Sequence, residues 1–183
     1  MSGLEQRYNK ETVKIMIIDD VRANTLLLEK LFILEGYRAI TVIHDPTMAL
    51  EAIDQEEPNV LLLDLSMPIV DGFEIMTSLK ERNHPLLNSL LVITAHHDTD
   101  YRHRALELGA RDFLTKPFDP TEVALKVRHL LEASHHIKLR EEQNIQLEMQ
   151  LIQRTIRIAE LQEEYVLRLI QAMKHRDNET GRH

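Results

Sequence analysis

Val60-Leu61-Leu62-Leu63-Asp64 sets four apolar residues in a row ahead of one carboxylate. A strand with one wet face alternates apolar and polar side chains, so an unbroken apolar run reads as a strand covered on both faces, as in a parallel sheet. The pattern recurs upstream in Ile15-Met16-Ile17-Ile18 and downstream in Leu90-Leu91-Val92-Ile93, each followed by polar residues and a longer amphipathic segment. Tyr37 to Ile43 alternates more and suits an edge strand, and Phe113-Leu114 gives a short fifth one. Gly36 and Gly109 close helical patterns, while Asp45-Pro46 and Asp119-Pro120 place a capping carboxylate before a first-turn proline.

Five βα units follow, and they predict an α/β fold: a flavodoxin-like, doubly wound, five-stranded parallel sheet in the order 2-1-3-4-5, with sites beyond the carboxyl ends of the strands. Asp19 and Asp20 follow the first strand and Asp64 follows the third, so this order crowds three carboxylates at the switch point. Unneutralised, they repel one another. Mg²⁺ relieves such repulsion with oxygen ligands and bridges to a phosphoryl oxygen. Thr94 at the end of the fourth strand and Lys116 after the fifth add a hydroxyl and an ammonium to the same edge. The set suits transfer of a phosphoryl group to an aspartate, a reaction driven by positioning and charge neutralisation.

All six prolines and four of the five glycines lie at or before Pro120, and neither type occurs between Thr121 and Thr180. A capping box, Asp119 to Glu122, opens a helix expected to run to about Arg176, roughly 80 Å at 1.5 Å per residue. Ile145, Met149, Ile152, Ile156, Ala159, Glu163, Val166, Ile170 and Met173 follow the spacing of a coiled-coil seam, which a parallel homodimer would bury. Leu147, Leu151, Ile158, Leu161, Tyr165 and Leu169 form a second stripe on the opposite side, which a two-stranded coil leaves exposed.

Composition narrows the classes. With 43% hydrophobic residues and no apolar run long enough to cross a bilayer, a cytoplasmic location is expected, with no membrane partner. The absence of cysteine removes disulfide scaffolds and thiolate metal sites. A net charge of −8 opposes binding to phosphate backbones, so no nucleic-acid partner is expected, and no basic helix-turn-helix segment follows. The ten histidines include the adjacent pairs His96-His97 and His135-His136, which diverge on a helix and chelate poorly. Taken alone, Asp19 and Asp71 read as solvated loop charges or helix caps.

Ile17-Ile18-Asp19-Asp20, Leu63-Asp64-Leu65-Ser66-Met67-Pro68 with Asp71-Gly72, Val92-Ile93-Thr94-Ala95 and Phe113-Leu114-Thr115-Lys116-Pro117-Phe118 together resemble the receiver domain of bacterial two-component response regulators. The resemblance spans about residues 12 to 133. It implies that Asp64 is the phosphoacceptor, served by a histidine kinase or phosphotransfer protein. It further implies that Asp20, Asp64 and the backbone carbonyl of Ser66 ligate Mg²⁺, that Asp19 supports the metal's waters, and that Lys116, on a cis bond to Pro117, faces the phosphoryl group. Thr94 and Phe113 match the family's switch pair. Ile69 departs from the pattern, since many relatives carry glycine there, and a stiffer loop behind Asp64 is expected.

Arg176 to His183 is similar to the opening of the HD-GYP phosphodiesterase domain, a family that hydrolyses cyclic di-GMP at a metal cluster. Glu179 and His183 match metal-ligand positions, but the rest of that site is not in the sequence. The expected organisation is a flexible leader over 1–11, a receiver over 12–133, a coiled-coil linker over 134–175 and the start of an HD-GYP-like domain over 176–183. The alternative is a free-standing receiver adaptor that regulates a partner protein through its helical extension.

Overall fold

The computed structural model describes residues 8–95 and 99–180, with side chains through 171 and at 173. The expectations placed on residues 1–7, on His96-His97 and on His183 lie outside the described residues, as does the side chain of Glu179. Five strands, β1 (Lys14–Ile18), β2 (Ala39–Ile43), β3 (Val60–Asp64), β4 (Leu90–Thr94) and β5 (Asp112–Thr115), pair in parallel in the order β2-β1-β3-β4-β5. The intervening helices are α1 (Arg22–Leu34), α2 (Ala49–Glu56), α3 (Gly72–Glu81) and α4 (Thr99–Glu107), and α5 covers Pro120–Thr180. This is the expected doubly wound fold.

The unbroken apolar runs become physically necessary once the two faces are seen. Met16, Ile18, Leu61, Leu63, Leu90 and Val92 point into one core with Ala49, Ile53, Phe73, Ile75, Met76 and Leu79 from α2 and α3. Their sequence neighbours Ile15, Ile17, Val60, Leu62, Leu91 and Ile93 point into a second core with Leu28 and Phe32 of α1 and Val123, Val127, Leu130 and Leu131 of α5. Each side chain on β3 is therefore buried whichever way it points, whereas every residue of β2, at the sheet's edge, is half-buried. Full burial of a Val, Leu or Ile contributes roughly 1.5–3 kcal/mol, so these strands carry much of the driving force for folding.

Element ends follow local chemistry. Gly36 and Gly109 take φ of 95° and 106° after α1 and α4. The Asp45 carboxylate accepts from the Thr47 amide at 3.0 Å, but the turn it opens is a 3-10 segment, Pro46–Met48, ahead of α2. Asp71 caps α3, accepting from the Glu74 amide at 2.8 Å, and Asp119 accepts from the Thr121 amide at 2.6 Å at the start of α5. The tail of the expected leader is tied down from Tyr8 onward. Tyr8 packs on the second core with its hydroxyl 3.3 Å from that of Tyr37, and Lys10 Nζ donates to the Glu35 carbonyl at 2.8 Å.

The chain divides into two compact units, Met1–Ile137 and Lys138–His183. The described part of the second unit is helical, and the apolar residues of both its stripes are exposed, Ile152 and Leu151 at 60% and 62%. Among the described residues no helix is long and apolar enough to cross a membrane.

Candidate phosphoryl-transfer site

The site lies where β1, β3, β4 and β5 end. Asp19 and Asp20 come directly after β1, Asp64 is the last residue of β3, Thr94 the last of β4, and Lys116 follows β5. Parallel pairing aligns these ends, with Ile18 opposite Leu63 and Asp64 opposite Ile93. The Lys116 amide donates to the Thr94 carbonyl at 2.7 Å, extending the ladder by one rung, and the Lys116-Pro117 bond is cis as expected.

Lys116 Nζ donates to Asp19 Oδ2 at 2.8 Å and to Asp64 Oδ2 at 2.7 Å. Asp64 Oδ1 accepts from the Ser66 amide at 3.2 Å. Asp19 Oδ1 accepts from the Val21 amide at 2.8 Å, and Asn24 Nδ2 reaches both Asp19 oxygens, at 3.2 and 2.9 Å. Asp19, Asp64 and Thr94 are 2%, 4% and 2% exposed, so these groups work in a largely dry setting where charge interactions are strong.

Burial pushes the Asp64 carboxyl above the usual carboxylate range, against the opposing hydrogen bonds from Lys116 and Ser66. Burial works against the Lys116 ammonium too, but its hydrogen bonds to Asp19 and Asp64 outweigh it and hold the amine above its ordinary value. The two upward shifts differ in cause. Lys116 gains from two carboxylates, while Asp64 is raised first by burial, and the Lys116 ammonium, shared with Asp19, does not offset it; the negative charge of Asp19 adds a little more.

An oxygen from each of Asp19, Asp20 and Asp64 lies within 4.8 Å of the others. Three carboxylates face one ammonium here, and Asp20 Oδ1 is buried with no hydrogen-bond partner among the described residues. An orphaned carboxylate oxygen beside two others is a poor arrangement for a protein alone and a suitable one for a hard divalent cation with oxygen ligands. The donor set fits Mg²⁺.

The structure thus brings together Asp19, Asp20, Asp64, Ser66, Thr94 and Lys116. Phe113 sits on β5 opposite Val92, partly buried against the first core. Sequence reasoning missed Asn24, whose only signal was its place in the first turn of α1, and His44, whose Nδ1 lies 3.2 Å from the Asp19 carbonyl oxygen. Gly72 serves the site through its missing side chain, which its motif does not announce: a Cβ there would lie 2.8 Å from Leu65 Cα and closer still to the Asp64 carbonyl oxygen. Ile69 holds φ at 72°, a left-handed conformation unusual for a β-branched residue, and is 84% exposed.

A family model described as "Response regulator receiver domain" matches residues 15–128, which include every residue gathered here. The chain is 35% identical over 121 residues to the alkaline phosphatase synthesis transcriptional regulatory protein PhoP of Bacillus subtilis, covering 66% of this chain and 49% of that protein. It is 36% identical over 122 residues to the transcriptional regulatory protein CpxR of Escherichia coli, covering 67% and 50%. With response regulator PleD of Caulobacter vibrioides the identity is 37% over 119 residues, 65% of this chain and 26% of that one. The chain therefore spans half or less of the length of these relatives. Among solved structures, the Francisella response regulator 1452 receiver domain superposes with a TM-score of 0.61 at 27% identity, covering 66% of this chain and 98% of that one.

Proposed function

This chain belongs to the response regulator receiver domain family, and from that premise we propose that Asp64 accepts a phosphoryl group from a phosphohistidine on a histidine kinase or phosphotransfer protein. The observation that carries the proposal is Lys116, whose ammonium joins Asp19 and Asp64 while Asp20 keeps a buried oxygen beside them that no described residue pairs. An Asp64 oxygen attacks phosphorus, a P–O bond forms, the P–N bond breaks, and the departing imidazole takes its proton from solvent. Ser66 fixes the Asp64 carboxylate through its amide, so the nucleophile arrives oriented. Lys116 and the Thr94 hydroxyl stand at the edge where phosphoryl oxygens gather charge, and each is a donor placed before the reaction starts. Asp20, Asp64 and the Ser66 carbonyl would hold Mg²⁺, with Asp19 orienting its waters. Bound there, the ion neutralises the carboxylates and offsets charge on the transferring group.

The output of this switch is assigned to α5: phosphorylation biases a two-state arrangement of Thr94 and Phe113 that is read through the helix. The seam from Ile145 to Met173 supports a homodimer formed through that helix. The resemblance of residues 176–183 to the opening of an HD-GYP domain supports cyclic di-GMP hydrolysis as the activity controlled in a longer protein, with Glu179 and His183 as two of its metal ligands. The competing reading is an adaptor in the cytoplasm whose exposed second stripe, Leu147 to Leu169, takes another protein's helix. The net charge of −8 disfavours nucleic acid in either case.

Incubation with Mg²⁺ and acetyl phosphate, followed by intact mass and oligomeric state, tests the proposal. Wild type should gain one acid-labile phosphoryl group and Asp64→Ala none. Equal labelling of both, or of neither, rules out Asp64 as the acceptor.

A further inference from the structure

Helix α4, Thr99–Glu107, buries one residue among the nine it contains, Ala105. What it sets against the domain besides is the Tyr101 ring, its centroid 5.6 Å from that of Phe73, and a pair of guanidinium groups on aromatic rings. Arg102 stacks on Phe113 of β5 with its Cζ 4.1 Å from the ring centroid, and Arg104 stacks on Phe73 of α3, also at 4.1 Å. The two rings differ in setting. Phe73 is 3% exposed and belongs to the core, whereas Phe113 is only partly buried against that core and carries Arg102 over its ring.

Phe113 pairs with Val92, and Val92 and Thr94, two residues apart on β4, share a face of the sheet. Phe113 and Thr94 are therefore diagonal neighbours on one face. A shift of the ring toward Thr94 would part it from Arg102, because the arginine is fixed by α4 and the ring's outer side would turn away.

We propose that Arg102 is a positioning residue for phosphoryl transfer: its stack on Phe113 holds the ring in the resting arrangement and so restrains the site from closing on a phosphoryl group. The inference rests on the receiver reading above. Arg102 touches neither Asp64 nor the ammonium of Lys116, and it acts through Phe113. A cation–π contact at an exposed position biases a two-state equilibrium by roughly two- to fivefold, and that bias appears in the rate.

The test measures the initial rate of acid-labile phosphate formation with Mg²⁺ and acetyl phosphate for wild type, Arg102→Ala, Arg102→Lys and Arg104→Ala. Arg102→Ala should react roughly two- to fivefold faster than wild type, and Arg102→Lys, which keeps a cation over the ring, should stay near wild type. Arg104→Ala loses the same type of stack from a ring on α3, so it should melt earlier with no gain in rate. An Arg102→Ala rate equal to or below wild type overturns the proposal, as does an equal acceleration in Arg104→Ala. The Phe113 ring resonances of the unphosphorylated protein give a second, independent readout and should move in Arg102→Ala. Failure of wild type to take up phosphate would sink the receiver reading; unchanged Phe113 resonances in Arg102→Ala would sink the stack.

Discussion

Lys116 Nζ lies 2.8 Å from Asp19 Oδ2 and 2.7 Å from Asp64 Oδ2, so one ammonium ties the loop after β1 to the end of β3. Removing one member of a buried charge cluster leaves the others uncompensated. Lys116→Met should lower metal-free stability at pH 7 by about 3 kcal/mol, with the loss shrinking in acid as Asp64 protonates. Urea unfolding at pH 7 and in acid checks both parts.

Asp64 supplies a pH prediction of opposite sense to the usual carboxylate. Its folded pKa is raised by burial, so its ionisation favours the unfolded chain. Its unfavourable contribution is absent below the unfolded carboxylate value and grows as pH rises through the folded one. Asp64→Asn should therefore melt above wild type at pH 7 without metal and show no advantage near pH 3. A variant that melts below wild type at pH 7 contradicts this.

Mg²⁺ should stabilise the protein by about 1.4 kcal/mol at ten times its dissociation constant, the linkage expected for a ligand bound only by the folded state. Asp20→Asn should lose most of that response and melt no lower than wild type without metal, since it changes a carboxylate whose Oδ1 no described residue pairs. Thermal melts with and without Mg²⁺ decide the matter, and a full Mg²⁺ response in the variant would place the ion elsewhere.

Gly72→Ala should cost about 1–3 kcal/mol through overpacking, because its methyl group would press on the backbone of Asp64 and Leu65. The Gly72 amide donates to the Leu65 carbonyl at 3.1 Å, so displacement there also disturbs the loop that orients Asp64. The variant should phosphorylate more slowly even under conditions where it is fully folded.

The sheet was legible because double-sided burial removes alternation, and Ile15 to Ile18, Val60 to Leu63 and Leu90 to Ile93 could hardly be anything else. The carboxylates and Lys116 were legible because strand ends fix them in space once the order of strands is known. Asn24 and His44 were not, since a polar residue near a strand end gives no sign of which carboxylate or carbonyl it will meet. The stacks of Arg102 and Arg104 were hidden for a related reason: α4 reads as a polar helix, and only tertiary contact shows that its arginines pack on rings alongside Tyr101. The left-handed backbone at Ile69 runs against the preference of its side chain, so no local rule announces it.

β3 is flanked on both edges by β1 and β4, and all five of its residues are buried, with Asp64 at its tip. Close-packed interiors have low compressibility, so this strand serves as an anvil. On the proposed function, a phosphoryl group landing on Asp64 would meet a support that does not recoil, and the displacement it demands would pass to a less deeply packed neighbour, α4, which buries Ala105 and sets Tyr101, Arg102 and Arg104 on aromatic rings. Stiffness on one side and give on the other would then set the direction in which the domain deforms.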